Sequence, residues 1–110
     1  MTDKIVVFNT CASMDEAERL ARTLIERQLA ACVTVITSVR SFYRWKGAVG
    51  DSTEWLLVIK TSRPLFTKLR EAIESTHSYE VPEILALPVI EGSTNYLSWI
   101  DNELQPADIG

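Results

Sequence analysis

The chain has 110 residues, 46% hydrophobic and 24% charged, with a net charge of −4. That size and balance fit one folded unit with one core, residues 1–110, and leave no room for a second. The apolar runs are short, Trp55 to Ile59 among them, so none approaches the roughly 20 residues that cross a bilayer, and the scattered basic residues give no footprint for a phosphate backbone. Membrane and nucleic acid are therefore not expected as partners. Lys4, followed soon by Thr10 and Asp15, does not make a secretory leader, and the expected compartment is the cytoplasm. Cys11 and Cys32 are too few for a disulfide framework and are expected to be reduced.

In chain order, Lys4 to Phe8 is a β-branched run suited to a buried central strand. Ser13 stands three residues before Glu16, the spacing at which a hydroxyl and a carboxylate each satisfy a free amide at a helix start. Ala17, Leu20, Ala21, Leu24 and Ile25 then form one apolar stripe, and the helix ends near Gln28. Cys32 to Trp45 reads as a single strand of about 45 Å, longer than the roughly 34 Å diameter of a compact chain of this length. The strand should overhang its own globule, carrying Phe42, Tyr43 and Trp45 outward, and such an overhang suits a subunit interface. The competing reading breaks it near Thr37 and Ser38 into two ordinary strands.

Lys46, Gly47, Gly50 and Asp51 supply turn chemistry, and Glu54 to Lys60 resumes as the return strand of a hairpin. Pro64 fits a first helical turn, with Leu65, Leu69, Ala72 and Ile73 at helical spacing, which predicts a helix over Pro64 to Ser75. His77 to Glu83 is a connection, Ile84 to Leu87 a last central strand interrupted by Pro88, and Val89 to Glu91 a further short strand. Ser93 or Thr94 caps a final helix with Tyr96, Leu97, Ile100 and Leu104 on its apolar stripe, stopped by Pro106. The order strand, helix, strand, strand, helix, strand is the split βαβ arrangement of α+β ferredoxin-like domains, here with an extended β-hairpin and a C-terminal helix. Helices cover one face of such a sheet, and oligomerisation is expected to cover the other.

His77, the single histidine, follows a helix C-terminus whose dipole favours an imidazolium or a cation, with Glu80 and Glu83 close behind. An ordinary capping histidine is the plainer alternative. The Cys32 thiol together with imidazole suits copper or zinc, although a small buried cysteine is the plainer alternative there. No local ligand pair exists, so such a site must be assembled from distant segments or from two subunits. Cys11, just before a helix start, has either a lowered pKa or a turn role. Cys32, His77 and a carboxylate nominally complete a Cys/His hydrolase, but nothing in their spacing places them together.

The runs Leu29-Ala-Ala-Cys32-Val, Ser41-Phe-Tyr43-Arg-Trp45-Lys-Gly47, Glu54 through Ile59-Lys60-Thr61, His77-Ser-Tyr79 with Pro82-Glu83, and Tyr96-Leu-Ser-Trp99-Ile resemble the CutA divalent-cation tolerance family. The resemblance implies a ferredoxin-like homotrimer in which the hairpin reaches onto a neighbour. It also implies tolerance to copper and other divalent cations, and in animal relatives a link to acetylcholinesterase anchoring. Carried over by motif, His77 and Cys32 become candidate metal ligands, and Trp45, Glu54, Lys60, Tyr79 and Glu83 join them in lining clefts between subunits. Ser78 stands where the family usually has proline, an exchange expected to loosen the histidine, and Thr34 stands for a common asparagine. The expected function is a non-enzymatic homotrimer binding a divalent cation. The alternative is a trimeric regulator that shares the fold and binds a nucleotide or other small anion between subunits, with Lys60 facing a phosphate.

Overall fold

The structure, a computed structural model, describes residues 1–106, so the last four residues of the expected single unit lie outside the described part. Seven main elements follow one another: β1 (Lys4–Cys11), α1 (Met14–Glu26), β2 (Cys32–Trp45), β3 (Ala48–Ser62), α2 (Phe66–Thr76), β4 (Leu85–Pro88) and α3 (Thr94–Glu103). A 3₁₀ turn, Arg63–Leu65, leads into α2 and accommodates Pro64 where no amide hydrogen is required. The strands make one antiparallel sheet in the order β2-β3-β1-β4, the α+β ferredoxin-like topology.

Strand alternation sorts the residues between two faces. Ile5, Val7 and Cys11 of β1 and Leu57 and Ile59 of β3 pack against Ala17, Leu20 and Leu24 of α1 and Leu69, Ala72 and Ile73 of α2. The α1 stripe ends where Gln28 takes a left-handed φ of 55° and lets the amides of Leu29 and Ala30 bond back to Leu24 O, so the helix closes at Glu26. On the other face α3 covers one part. Ile100 is buried there, and Asp101 lies 2.7 Å from the buried Lys4 ammonium. Burial lowers the Lys4 pKa, but its bonds to Asp101 and Asp3 outweigh that and hold it above the ordinary value. Beyond α3, Ile36, Leu85 and Leu87 on this face are exposed.

The hairpin is longer than the turn residues suggested. Lys46 and Gly47 both have positive φ, 50° and 82°, and make a two-residue loop with Trp45 opposite Ala48. That register draws Gly50 and Asp51 into β3, where the Tyr43 ring lies so close over Gly50 that an added Cβ would sit 3.2 Å from it. Thr37 and Ser38 form a bulge instead of a break: Ile36 pairs with Leu56 and Val39 with Glu54, leaving two residues opposite Trp55, with Ser38 at φ 57°. The molecule measures 43 × 26 × 24 Å, its long axis well beyond a compact diameter of about 34 Å. No separate strand forms over Val89–Glu91, because Val89 exchanges backbone bonds with Thr2 and Lys4 and the chain then leaves the sheet.

Candidate cation site

The bulge decides which side chains meet. Before it, Cys32 and Thr34 share a face with Lys60 and Val58; after it, the odd residues Ser41, Tyr43 and Trp45 share the face of Ser52 and Glu54. One inserted residue thus brings the aromatic end of β2 to the same side as the Glu54 carboxylate. The loop after α2 closes over this region, held by Asn9, whose buried side-chain amide donates to Glu83 O at 2.8 Å. The result is a cavity of about 650 Å³ lined by residues that include Tyr43, Trp45, Glu54, Tyr79, Glu80 and Glu83. Glu54 is 7% exposed, its Oε2 accepts from the Tyr79 hydroxyl at 2.7 Å, and neither a second donor nor an ion pair reaches it among the described residues. Burial, followed by the bond to Glu54, pushes the Tyr79 phenol well above its ordinary pKa.

Behind this loop lies a second group, Cys11, Glu16 and His77, whose ligand-type atoms all lie within 4.8 Å of one another. His77 ends α2, its amide bonded to Ile73 O and its side chain fully buried. Nε2 lies 2.8 Å from Thr10 O and so must donate, while Nδ1 accepts from the Tyr79 amide at 3.0 Å. These partners assign the neutral tautomer with the proton on Nε2, and neither nitrogen is left over. Glu16 accepts from the Ala12 amide at 3.2 Å and from the amide and hydroxyl of Ser78 at 2.8 and 2.9 Å, while its own amide donates to Ser13 Oγ. Burial alone would raise the Glu16 pKa, but the bonds from Ser78 and Ala12 outweigh it and hold the carboxyl below its ordinary value. Burial, reinforced by Glu16 and Glu54, pushes the Cys11 thiol up to about 12, the reverse of the helix-dipole expectation. A thiol kept protonated, an imidazole with both nitrogens engaged and a carboxylate with three donors form a closed network that does not fit a metal as it stands.

Of the residues singled out in the sequence, Trp45, Glu54, Tyr79 and Glu83 line one cavity, and Lys60 and Cys32 lie elsewhere. Lys60 donates to Thr34 Oγ1 at 2.9 Å and lies 3.8 Å from Cys32 Sγ. Burial and the neighbouring Cys32 sulfur push the Tyr96 phenol up. His77 and Cys32 are not neighbours within one chain. His77 adjoins Cys11, opposite Trp55, whereas Cys32 is opposite Lys60, five residues or about 16 Å along β3. A shared ion would need donors from two copies. Both cysteines are free thiols, Cys11 buried and Cys32 partly exposed. Sequence reasoning did not find the roles of Asn9 and Ser78. Ser78, expected to loosen the histidine, instead ties its loop to α1 through two bonds to Glu16.

The fold, with an acid-lined cavity beside an overhanging hairpin, defines a small ferredoxin-like protein. The family model described as CutA1 divalent ion tolerance protein matches residues 5–103, and the chain belongs to that family. It is 44% identical over 95 residues to the divalent-cation tolerance protein CutA of Thermus thermophilus, covering 86% of this chain and 92% of that protein. To the chloroplastic protein CutA of Arabidopsis thaliana it is 40% identical over 98 residues, which cover 89% of this chain and 54% of the relative. Among solved structures, the Thermus thermophilus divalent cation tolerance protein superposes with a TM-score of 0.91 at 41% identity, covering 93% of this chain and 99% of that one. The structure described as a periplasmic divalent cation tolerance protein CutA from Archaeoglobus fulgidus gives 0.90 at 35% identity, with coverage of 93% and 99%. Among the described residues, no helix is long and apolar enough to cross a membrane.

Proposed function

We propose that this protein is a non-enzymatic homotrimer that takes a divalent cation, copper included, in clefts between subunits. The observation carrying this reading is Glu54, a carboxylate nine-tenths buried in a cavity wall, with no cation paired to it among the described residues. A buried charge is expensive unless paired, and Glu80 and Glu83 lining the same cavity against the single guanidinium of Arg44 favour an incoming positive charge. The family's association with divalent ions supports the choice of ion. Cys32, with its partly exposed thiol, is the soft donor that a neighbouring copy would bring, and His77 would join only by giving up Thr10 or Tyr79. The exposed sheet face around Ile36, Leu85 and Leu87 and the overhanging hairpin support assembly. Two free thiols fit a reducing compartment such as the cytoplasm, with neither membrane nor nucleic acid as partner. The nucleotide alternative finds less support, since Lys60 is engaged with Thr34 and the cavity acids repel phosphate.

The test joins assembly to binding. Analytical ultracentrifugation should give a trimer at micromolar concentration, and calorimetry should give saturable copper binding. Leu85→Glu, which places a charge on the exposed face, should reduce both. A compact wild-type monomer, or copper affinity that is indifferent to Leu85→Glu in a dissociated protein, would overturn the reading.

A further inference from the structure

The walls of the Glu54 cavity are of a kind that a metal ion alone does not require. Hydrated divalent cations are satisfied by oxygen ligands, yet here Glu54 and Glu83 line the cavity together with the aromatic residues Tyr43, Trp45 and Tyr79. Tyr43 and Trp45 are close to half exposed, so these rings are not there to fill this chain's core. Rings around a negative charge are the surroundings that favour an organic cation, whose alkyl groups need apolar contact and whose charge is attracted to ring faces.

The chain itself already uses one of these rings in that way: the Lys46 ammonium sits over Trp45, 5.9 Å from the ring centroid. Glu54 supplies the anchor: it is nine-tenths buried, with Oε2 held by Tyr79 and no donor on Oε1 among the described residues. A volume of about 650 Å³ lies within the usual range for small-molecule sites, roughly 300–1,000 Å³, and far exceeds the need of a bare ion.

We infer that this cavity is a binding site for a small organic cation of the alkylammonium class, its charge set against Glu54 and its alkyl groups against Trp45 and Tyr43. The inference rests on the reading that the cavity takes positive charge, but it does not depend on the metal. Tetramethylammonium chloride is titrated into the intact, chelator-treated protein, and the Trp45 indole N–H resonance is followed, assigned by its disappearance in Trp45→Phe. That resonance should shift saturably while those of Trp55 and Trp99 stay still. tert-Butanol, an uncharged molecule of similar size, should leave it unmoved.

Glu54→Gln keeps an acceptor for Tyr79 and should weaken binding about tenfold, and Glu83→Gln, the second variant should the first not fold, should weaken it less. An equal response to tert-butanol, no movement of the Trp45 resonance, or wild-type affinity in a folded Glu54→Gln would each overturn the inference. Copper is titrated separately without chelator. A protein that binds the ammonium and not copper refutes the metal reading alone, and one that binds copper and not the ammonium refutes this inference alone.

Discussion

Two clusters of ionisable groups lie back to back around the loop after α2, and they differ in what they have left to offer. In the buried cluster His77 has spent both nitrogens, Glu16 has three donors and the Cys11 thiol is held protonated. In the cavity cluster Glu54 has, among the described residues, a single donor and no counter-ion. The cluster that looks more like a metal site by residue type is a structural lock, and the plainer set of glutamates has the unmet demand. Proximity of ligand types is thus a weaker guide than the count of unsatisfied lone pairs.

Breaking the lock should have the largest effect. Glu16→Ala strands the Ala12 and Ser78 amides and the Ser78 hydroxyl, and should destabilise the fold by about 3 kcal/mol in chemical denaturation. Ser78→Pro is a finer probe. His77 already has φ −73° and ψ 142°, the extended geometry that precedes proline, so the substitution removes two hydrogen bonds with little backbone conflict and should cost about 2 kcal/mol. A smaller loss than that of Ser78→Ala, which keeps the amide, would mean that the amide bond contributes little.

The lock also predicts a pH dependence. Glu16 has a folded pKa below its ordinary value of 4.5, so its contribution is fully present above that pH and disappears as pH falls through the lower folded value. Denaturation midpoints should therefore drop more steeply with acid in wild type than in Glu16→Gln. Cys11 acts at the other end. Its thiol is raised from 9.0 to about 12, so the unfolded chain loses its proton first and stability should decline as pH rises between those values, a decline that Cys11→Ala should remove. The smallest perturbation is chemical. Iodoacetamide at mildly alkaline pH should label Cys32 in the native protein and leave Cys11 untouched until it unfolds, and equal labelling would show that the lock opens readily.

Most of the fold was legible because its signals are local. The Ser13–Glu16 spacing marked the start of α1, although the Glu16 carboxylate reaches the Ala12 amide and not that of Ser13. The length of β2 was read correctly from Cys32 to Trp45, and the doubt at Thr37 and Ser38 fell on the bulge. The beginning of β3 was not legible, because Gly50 and Asp51 look like turn residues until the Lys46-Gly47 loop fixes the register. In the site, the resemblance named Trp45, Glu54, Tyr79 and Glu83, but no local pattern could reveal that a bulge puts Trp45 on the face of Glu54 or that Ser78 would bond across 62 residues to Glu16. Those are consequences of register and tertiary contact, which a linear pattern does not encode.

The contrast between the clusters is tested most directly by titrating copper into two variants that each disarm one of them, Glu54→Gln for the cavity and Cys11→Ala for the lock. Affinity about tenfold weaker in Glu54→Gln and unchanged in Cys11→Ala is the predicted result. Wild-type affinity in Glu54→Gln together with its loss in Cys11→Ala would place the cation in the buried network and contradict the account.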